Sequence, residues 1–216
     1  MGTKPKQSSR IAFYIGSIIT WAAVILQLYL ALANRVASVP ETFIRFFTFF
    51  TILSNTLAAI CFTSLLISKG VRQHIFFSKS NVVSAITVYI LIVCVVYQVA
   101  LRHVWNPQGL QKVVDELLHT VDPLYFLLCW ALFIPKYTLQ WKIIFAWMIF
   151  PLFYLGVILW RGALVGYYPY PFVNVTTLGY GKVLLNCGVV VIVFLLFSII
   201  LIGVGKISSK PSMAAF

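Results

Sequence analysis

Of 216 residues, 62% are hydrophobic and only 9% charged, and the mean hydropathy is +0.99. A water-soluble domain carries about 25% charged residues, so this chain has too little charge to cover a solvent-facing surface. The net charge of +12 does not point to nucleic acid, because Lys and Arg stand at the ends of apolar runs and not along one polar face.

Repeated apolar runs of roughly 20 residues read as membrane-spanning helices. A β-barrel would need alternating strands of about ten residues, and none occur. The expected fold is therefore all-α, a six-helix transmembrane bundle forming one domain over residues 1–216. A polar tail, residues 1–10, precedes the first span at about 11–33. The Ala-Leu-Ala at 31–33 resembles a signal-peptide cleavage site, but the apolar part exceeds the usual 7–15 residues, which favours an uncleaved helix. The other spans are predicted at about 46–67, 82–101, 113–134, 141–160 (with Pro151 expected to kink it) and 183–204.

Orientation follows from the basic residues. With the N-terminus in the cytoplasm, the inner segments hold ten: Lys4, Lys6, Arg10, Lys69, Arg72, Lys79, Lys136, Lys142, Lys206 and Lys210. The outer segments hold six: Arg35, Arg45, Arg102, Lys112, Arg161 and Lys182. Both termini are thus expected inside, in a multi-pass integral membrane protein (of the cell membrane, if bacterial) whose basic residues meet lipid headgroups. Cys61, Cys94, Cys129 and Cys187 lie in or beside apolar runs without CxxC spacing, so they read as small packing residues.

The chain has four acidic residues, and three fall within DELLHTVD at 115–122, around His119. Ionisable groups inside a membrane span are expensive and by default mark a functional site. Asp115, His119 and Asp122 are spaced i, i+4, i+7 and share one helical stripe, with Glu116 on an adjacent part of that face. Pro123 cannot donate to the carbonyl of His119, which frees that carbonyl and bends the helix. His119 lies seven residues past Lys112, and Thr51 six residues past Arg45, or roughly 10 and 9 Å below the same face. The two can therefore meet.

Arg161 is placed as counter-charge to one of the carboxylates. The loop YYPYPF at 167–172 reads either as an interfacial aromatic belt or as a lid or wall over a cavity. Structural alternatives stand beside these readings. His119 can be an interhelical hydrogen-bonding residue, Thr51 can bond its own i−4 carbonyl, and Asn55 reads as interhelical glue. His74 and His103 read as solvated. Asn174 opens a glycosylation sequon, a weak motif. One His among carboxylates is a poor zinc ligand set, so no metal or other cofactor is expected.

The segments FTFFTILSN at 47–55 and LLHTVDP at 117–123, with Leu159-Trp160 and Tyr170-Pro171-Phe172, resemble the androgen-induced protein family and its bacterial six-helix relatives. That resemblance implies a multi-pass threonine hydrolase of lipid esters, in animal members fatty-acid esters of hydroxy fatty acids. It places Thr51 as nucleophile and His119 as base. Asp122 or Asp115 would orient the histidine, Asn55 or a tyrosine would bind the oxyanion, and Arg161, Tyr170 and Phe172 would line the substrate site. The partners implied are membrane lipids and a long-chain lipid ester, with no nucleic acid. Two departures bring the chain closer to the bacterial branch: His119 lies one residue nearer its proline than in the animal pattern, and Asp122 replaces an apolar residue. Thr48 is a competing register for Thr51. The chemistry is coherent, because a threonine hydroxyl needs an adjacent base, and no GxSxG elbow is present. The alternative function is a proton-coupled transporter or carrier using Asp115, Glu116, His119 and Asp122.

Overall fold

The computed structural model describes residues 7–68 and 75–208. Lys4, Lys6, Lys69, Arg72, His74 and Lys210, which entered the reading of charge and exposure, lie outside the described residues. Among the described residues all regular structure is helical, and six helices are long and apolar enough to cross a membrane.

The first span, α1 (Gln7–Ala33), begins earlier than expected and takes in part of the polar tail. The expected span at 46–67 is instead two helices, α2 (Val39–Thr48) and α3 (Phe50–Ile67), separated at Phe49. The start of α2 is written locally: the Ser38 hydroxyl accepts from the Glu41 amide, and Pro40 sits in the first turn, where its missing N–H is not needed. The pattern Ser-x-x-Glu before an apolar run was the available signal for this helix. Next come α4 (Ser80–Val96), continued by a wide π turn over Tyr97–Leu101, and α5 (Gly109–Glu116). A second π turn, Leu117–Val121, joins α5 to α6 (Asp122–Phe133), making one span. The fifth span, α7 (Ile143–Val165), carries Pro151 inside it, and α8 (Val175–Ser208) is bent at Gly179.

The central helix is α4, the most deeply buried span, unbroken in burial from Val83 to Val93. Lipid is as apolar as leucine, so helices associate through close packing and interhelical hydrogen bonds. Both are present. Gly16 of α1 lets the Phe62 ring of α3 lie where a Cβ would stand. Ser17 and Trp21 of α1 reach Thr63 of α3, each at 3.1 Å. Trp130 donates to Ser84 at 2.8 Å, tying α6 to α4.

The loop from Gly166 to Asn174 crosses the end of the bundle that carries α2. Gly166 ends α7 with φ 68°, a left-handed conformation that glycine adopts without steric penalty. Gly162, one turn earlier, leaves space for the Tyr168 ring. Together they fold the aromatic loop back onto the bundle.

Candidate active site

The break at Phe49 builds one half of the site. Phe46 to Thr51 is an aromatic and β-branched run of weak helix propensity, and the Thr48 hydroxyl donates to the Arg45 carbonyl, closing α2 locally. Across the gap, the Tyr154 hydroxyl donates to the Thr48 carbonyl at 2.7 Å and accepts from the Phe50 amide at 3.1 Å. The Thr51 amide donates to the Tyr170 hydroxyl at 3.3 Å. Thr51 therefore stands in the first turn of α3, where backbone N–H groups lack intrahelical partners and the helix dipole favours negative charge. Thr48, the competing register, is turned to its own backbone.

The π turn before Pro123 builds the other half. Pro123 offers no N–H, and the Asp122 amide reaches back five residues to the Leu117 carbonyl, so the Leu118 carbonyl loses its usual donor. Asn55, fully buried, supplies one: its Nδ2 donates to the Leu118 carbonyl at 3.1 Å and to the Thr51 carbonyl at 2.9 Å. The carbonyl bound from outside is thus that of Leu118, one residue before the carbonyl expected from the proline alone. Single π turns inside α-helices often occur at functional sites.

The two halves meet where equal depth predicted. Thr51 Oγ1 lies 3.3 Å from His119 Nε2. On the other side of the ring, Nδ1 faces the Asp115 carbonyl at 2.9 Å and Asp115 Oδ1 at 3.3 Å. Both are acceptors, which fit a proton on Nδ1, and in that tautomer Nε2 is left to accept from Thr51. The Tyr97 ring stacks on His119 with centroids 4.1 Å apart and planes at 17°, and its hydroxyl donates to Asp115 Oδ2. Thr51 is only 7% exposed and the His119 side chain 12%.

Of the two acids left open by sequence, Asp115 orients the histidine. Asp122 makes no ion pair with His119; it is buried against Thr20 of α1 with Oδ2 unpartnered. Glu116 pairs with Arg102 and accepts from Thr120. Among the described residues no three His, Cys, Asp or Glu side chains converge as a metal ligand set. Asn55 has both amide hydrogens on carbonyls, so its place is in holding α3 to the π turn, and Tyr170 Oη, 3.4 Å from Thr51 Oγ1, is the hydroxyl facing the threonine. Burial holds the Tyr170 phenol above its usual pKa, so it stays protonated and able to donate. Arg161 pairs with Glu41 at 2.7 Å rather than with a carboxylate of residues 115–122, and Arg45 binds the same Glu41 oxygen at 2.8 Å. Tyr167 lies beneath both guanidinium groups.

Tyr97 and Tyr154 were missed by sequence reading. They are two of eleven tyrosines, and nothing local distinguishes them. The π turn at Tyr97–Leu101 puts Tyr97, Gln98 and Arg102 against Asp115, Thr120 and Glu116.

Two cavities share Thr51, His119 and Tyr170 in their walls. One is a tight apolar slot of about 80 Å³ among α4, α7 and α8. The other is a vestibule of about 590 Å³ under the connections at the α2 end of the bundle, with Arg35, Arg45, Gln27 and Gln111 in its wall. The aromatic loop is the wall between them: Phe172 lines the slot, Tyr167 and Pro169 the vestibule, and Tyr170 both. Phe172 is stacked on Tyr170 at 5.3 Å.

No protein-family model, curated protein or solved structure matches the chain. Among the described residues, fold and site together define a bundle of six helices long and apolar enough to cross a membrane, with a Thr–His–Asp arrangement between two cavities.

Proposed function

We propose that this protein is an intramembrane hydrolase of lipid esters, with Thr51 as nucleophile, His119 as general base and Asp115 as the group that orients it. The single observation that carries this reading is the 3.3 Å approach of Thr51 Oγ1 to His119 Nε2, with Nδ1 held by Asp115. Hydrogen-bond reach between nucleophile and base, and a third group fixing the base, are the geometric requirements for an activated hydroxyl. The resemblance of residues 47–55 and 117–123 to the androgen-induced protein family supports the same assignment.

In the first step Thr51 Oγ bonds to the ester carbonyl carbon and its proton passes to His119 Nε2. The ester C–O bond breaks, and the proton moves from Nε2 to the departing alkoxide, which leaves as alcohol. Water then gives a proton to His119 and attacks the acyl-threonine. The acid departs, and the proton returns to Thr51 Oγ. Tyr170 Oη donates to the developing oxyanion from a largely apolar surrounding, where such a bond is strong. The substrate is a membrane-derived ester with a long chain in the vestibule, taken up from the outer leaflet.

The test is hydrolysis of hydroxy-fatty-acid esters by purified protein in detergent, with Thr51→Ala and His119→Ala compared with wild type. Both variants should lose at least about 10³-fold in kcat. Full activity in either folded variant sinks the assignment.

A proton-coupled carrier remains the second reading, and one observation favours it: Asp122 is buried to 2% exposure with an unpartnered carboxyl oxygen. Proton flux into proteoliposomes that vanishes in Asp122→Asn but survives Thr51→Ala would select it.

A further inference from the structure

The unequal cavities on either side of Thr51 bear on which ester is cleaved. We propose, building on the hydrolase reading, that the slot is an acyl-chain ruler: it admits a short to medium acyl group, while the bulk of the substrate sits on the alcohol side in the vestibule.

The assignment of arms follows from the order of events. The alcohol leaves first, and water must reach the acyl-threonine afterwards. The vestibule, wide and partly polar, serves both movements. The slot has almost no polar surface and is walled by Val93, Val96, Ile158, Val190 and Val191, so it suits the chain that stays attached.

Two measures of the slot agree on its reach. Along α8 it runs from Cys187 to Phe194, seven residues or about 10 Å of rise, which accommodates roughly eight extended carbons. Its volume of about 80 Å³, at roughly 10–15 Å³ per water-sized sphere, holds about five to eight such units.

The floor is stiff. Phe50 and Phe194 meet edge to face with centroids 5.8 Å apart. Behind them Tyr89 and Phe150 pack against each other at 5.2 Å and against Phe50 at 6.3 and 5.6 Å. The Tyr89 hydroxyl is fixed to the Trp147 carbonyl at 2.7 Å. A four-ring cluster tied to the backbone does not yield to a longer chain as a single flexible side chain would. In a pocket of fixed length, one methylene too many changes kcat/KM by about tenfold or more.

The experiment uses the full chain in detergent with 4-nitrophenyl esters of acids from about four to about sixteen carbons, and octanoate esters of alcohols over a similar range. Wild type should peak near six to eight acyl carbons, fall at least about tenfold by fourteen, and vary less than about threefold with alcohol length. Phe194→Ala opens the floor and should move the acyl optimum up by roughly two to four carbons. Val191→Phe, which keeps the floor intact and fills the slot, should move it down. A wild-type optimum at fourteen to sixteen carbons overturns the ruler, as does one unchanged profile across wild type and both variants. In either case Thr51-dependent hydrolysis would leave the hydrolase reading standing. Hydrolysis of no ester at any length, or hydrolysis that persists in Thr51→Ala, overturns the hydrolase reading itself and the ruler with it.

Discussion

Asn55→Ala tests whether the π turn is held open from outside. Asn55 Nδ2 donates to the Leu118 carbonyl, which lost its own donor to the wide turn, and to the Thr51 carbonyl. The second bond adds to a carbonyl within α3, so its loss is minor. The first leaves a buried acceptor unpaired, which costs about 1–3 kcal/mol, although interhelical hydrogen bonds in membranes average nearer 0.6 and reach about 1.7 kcal/mol. Removing Asn55 Oδ1, which has no partner, offsets part of the loss. The net expectation is a destabilisation of about 1–2 kcal/mol, read by unfolding in mixed micelles on titration with SDS. Activity should fall further than stability alone explains, because Asn55 fixes the Thr51 helix to the residue next to His119. A displacement of about 1 Å between reacting groups costs on the order of 10²-fold. Ser54→Ala is the control: its buried hydroxyl has no partner, and its removal should change stability by less than about 0.5 kcal/mol. If Asn55→Ala matches Ser54→Ala in both stability and kcat, the Leu118 carbonyl does not depend on Asn55 and the account of the π turn is wrong.

Three other outcomes are expected. Tyr97→Phe keeps the ring stacked on His119 but removes the hydroxyl bound to Asp115; stability should fall by about 1 kcal/mol, the usual net worth of one hydrogen bond, and kcat by about tenfold, or about 1.4 kcal/mol at the transition state, and an unchanged kcat rules out that role. Tyr170→Phe removes the hydroxyl facing Thr51; kcat should fall about 10²-fold while KM stays within a few-fold, as for loss of one oxyanion donor, and a change confined to KM would assign the residue to substrate binding instead. Glu41 is held below its ordinary pKa of 4.5, first by its hydrogen bond from Arg45 and then by Arg161. Its stabilisation is therefore present above that ordinary value and lost as pH falls through the lower folded-state value. The Tm advantage of wild type over Glu41→Gln should be full at neutral pH and shrink as pH falls below that ordinary value, and a gap independent of pH contradicts it.

Much of this protein is legible in one dimension, for a physical reason. A helix crossing hydrocarbon must satisfy its backbone internally and present apolar residues along about 20 positions, so hydropathy alone yields six spans close to those observed. The same physics flags His119, since ionisable groups within such runs are costly, and counting helical rise from the flanking charges brings Thr51 to its depth. The start of α2 was also legible, in Ser38, Pro40 and Glu41, although the apolar run beginning at Phe46 concealed it.

Tertiary structure alone decided the chemistry around that pair. The break at Phe49 has no glycine or proline to announce it; Tyr154 and Tyr170, more than 100 residues away, take up the backbone groups it exposes. The i, i+4, i+7 stripe treats Asp115 and Asp122 alike, but the π turn Leu117–Val121 contains His119 and ends just before Asp122, so the helical register changes across it. Asp115 then meets the ring, while Asp122 faces α1. Arg161 had several acids within a plausible range in sequence, and the folded position of α2 gave it Glu41. Helical periodicity assigns faces within one element; which hydroxyl, carbonyl or carboxylate stands opposite is set by how the elements pack.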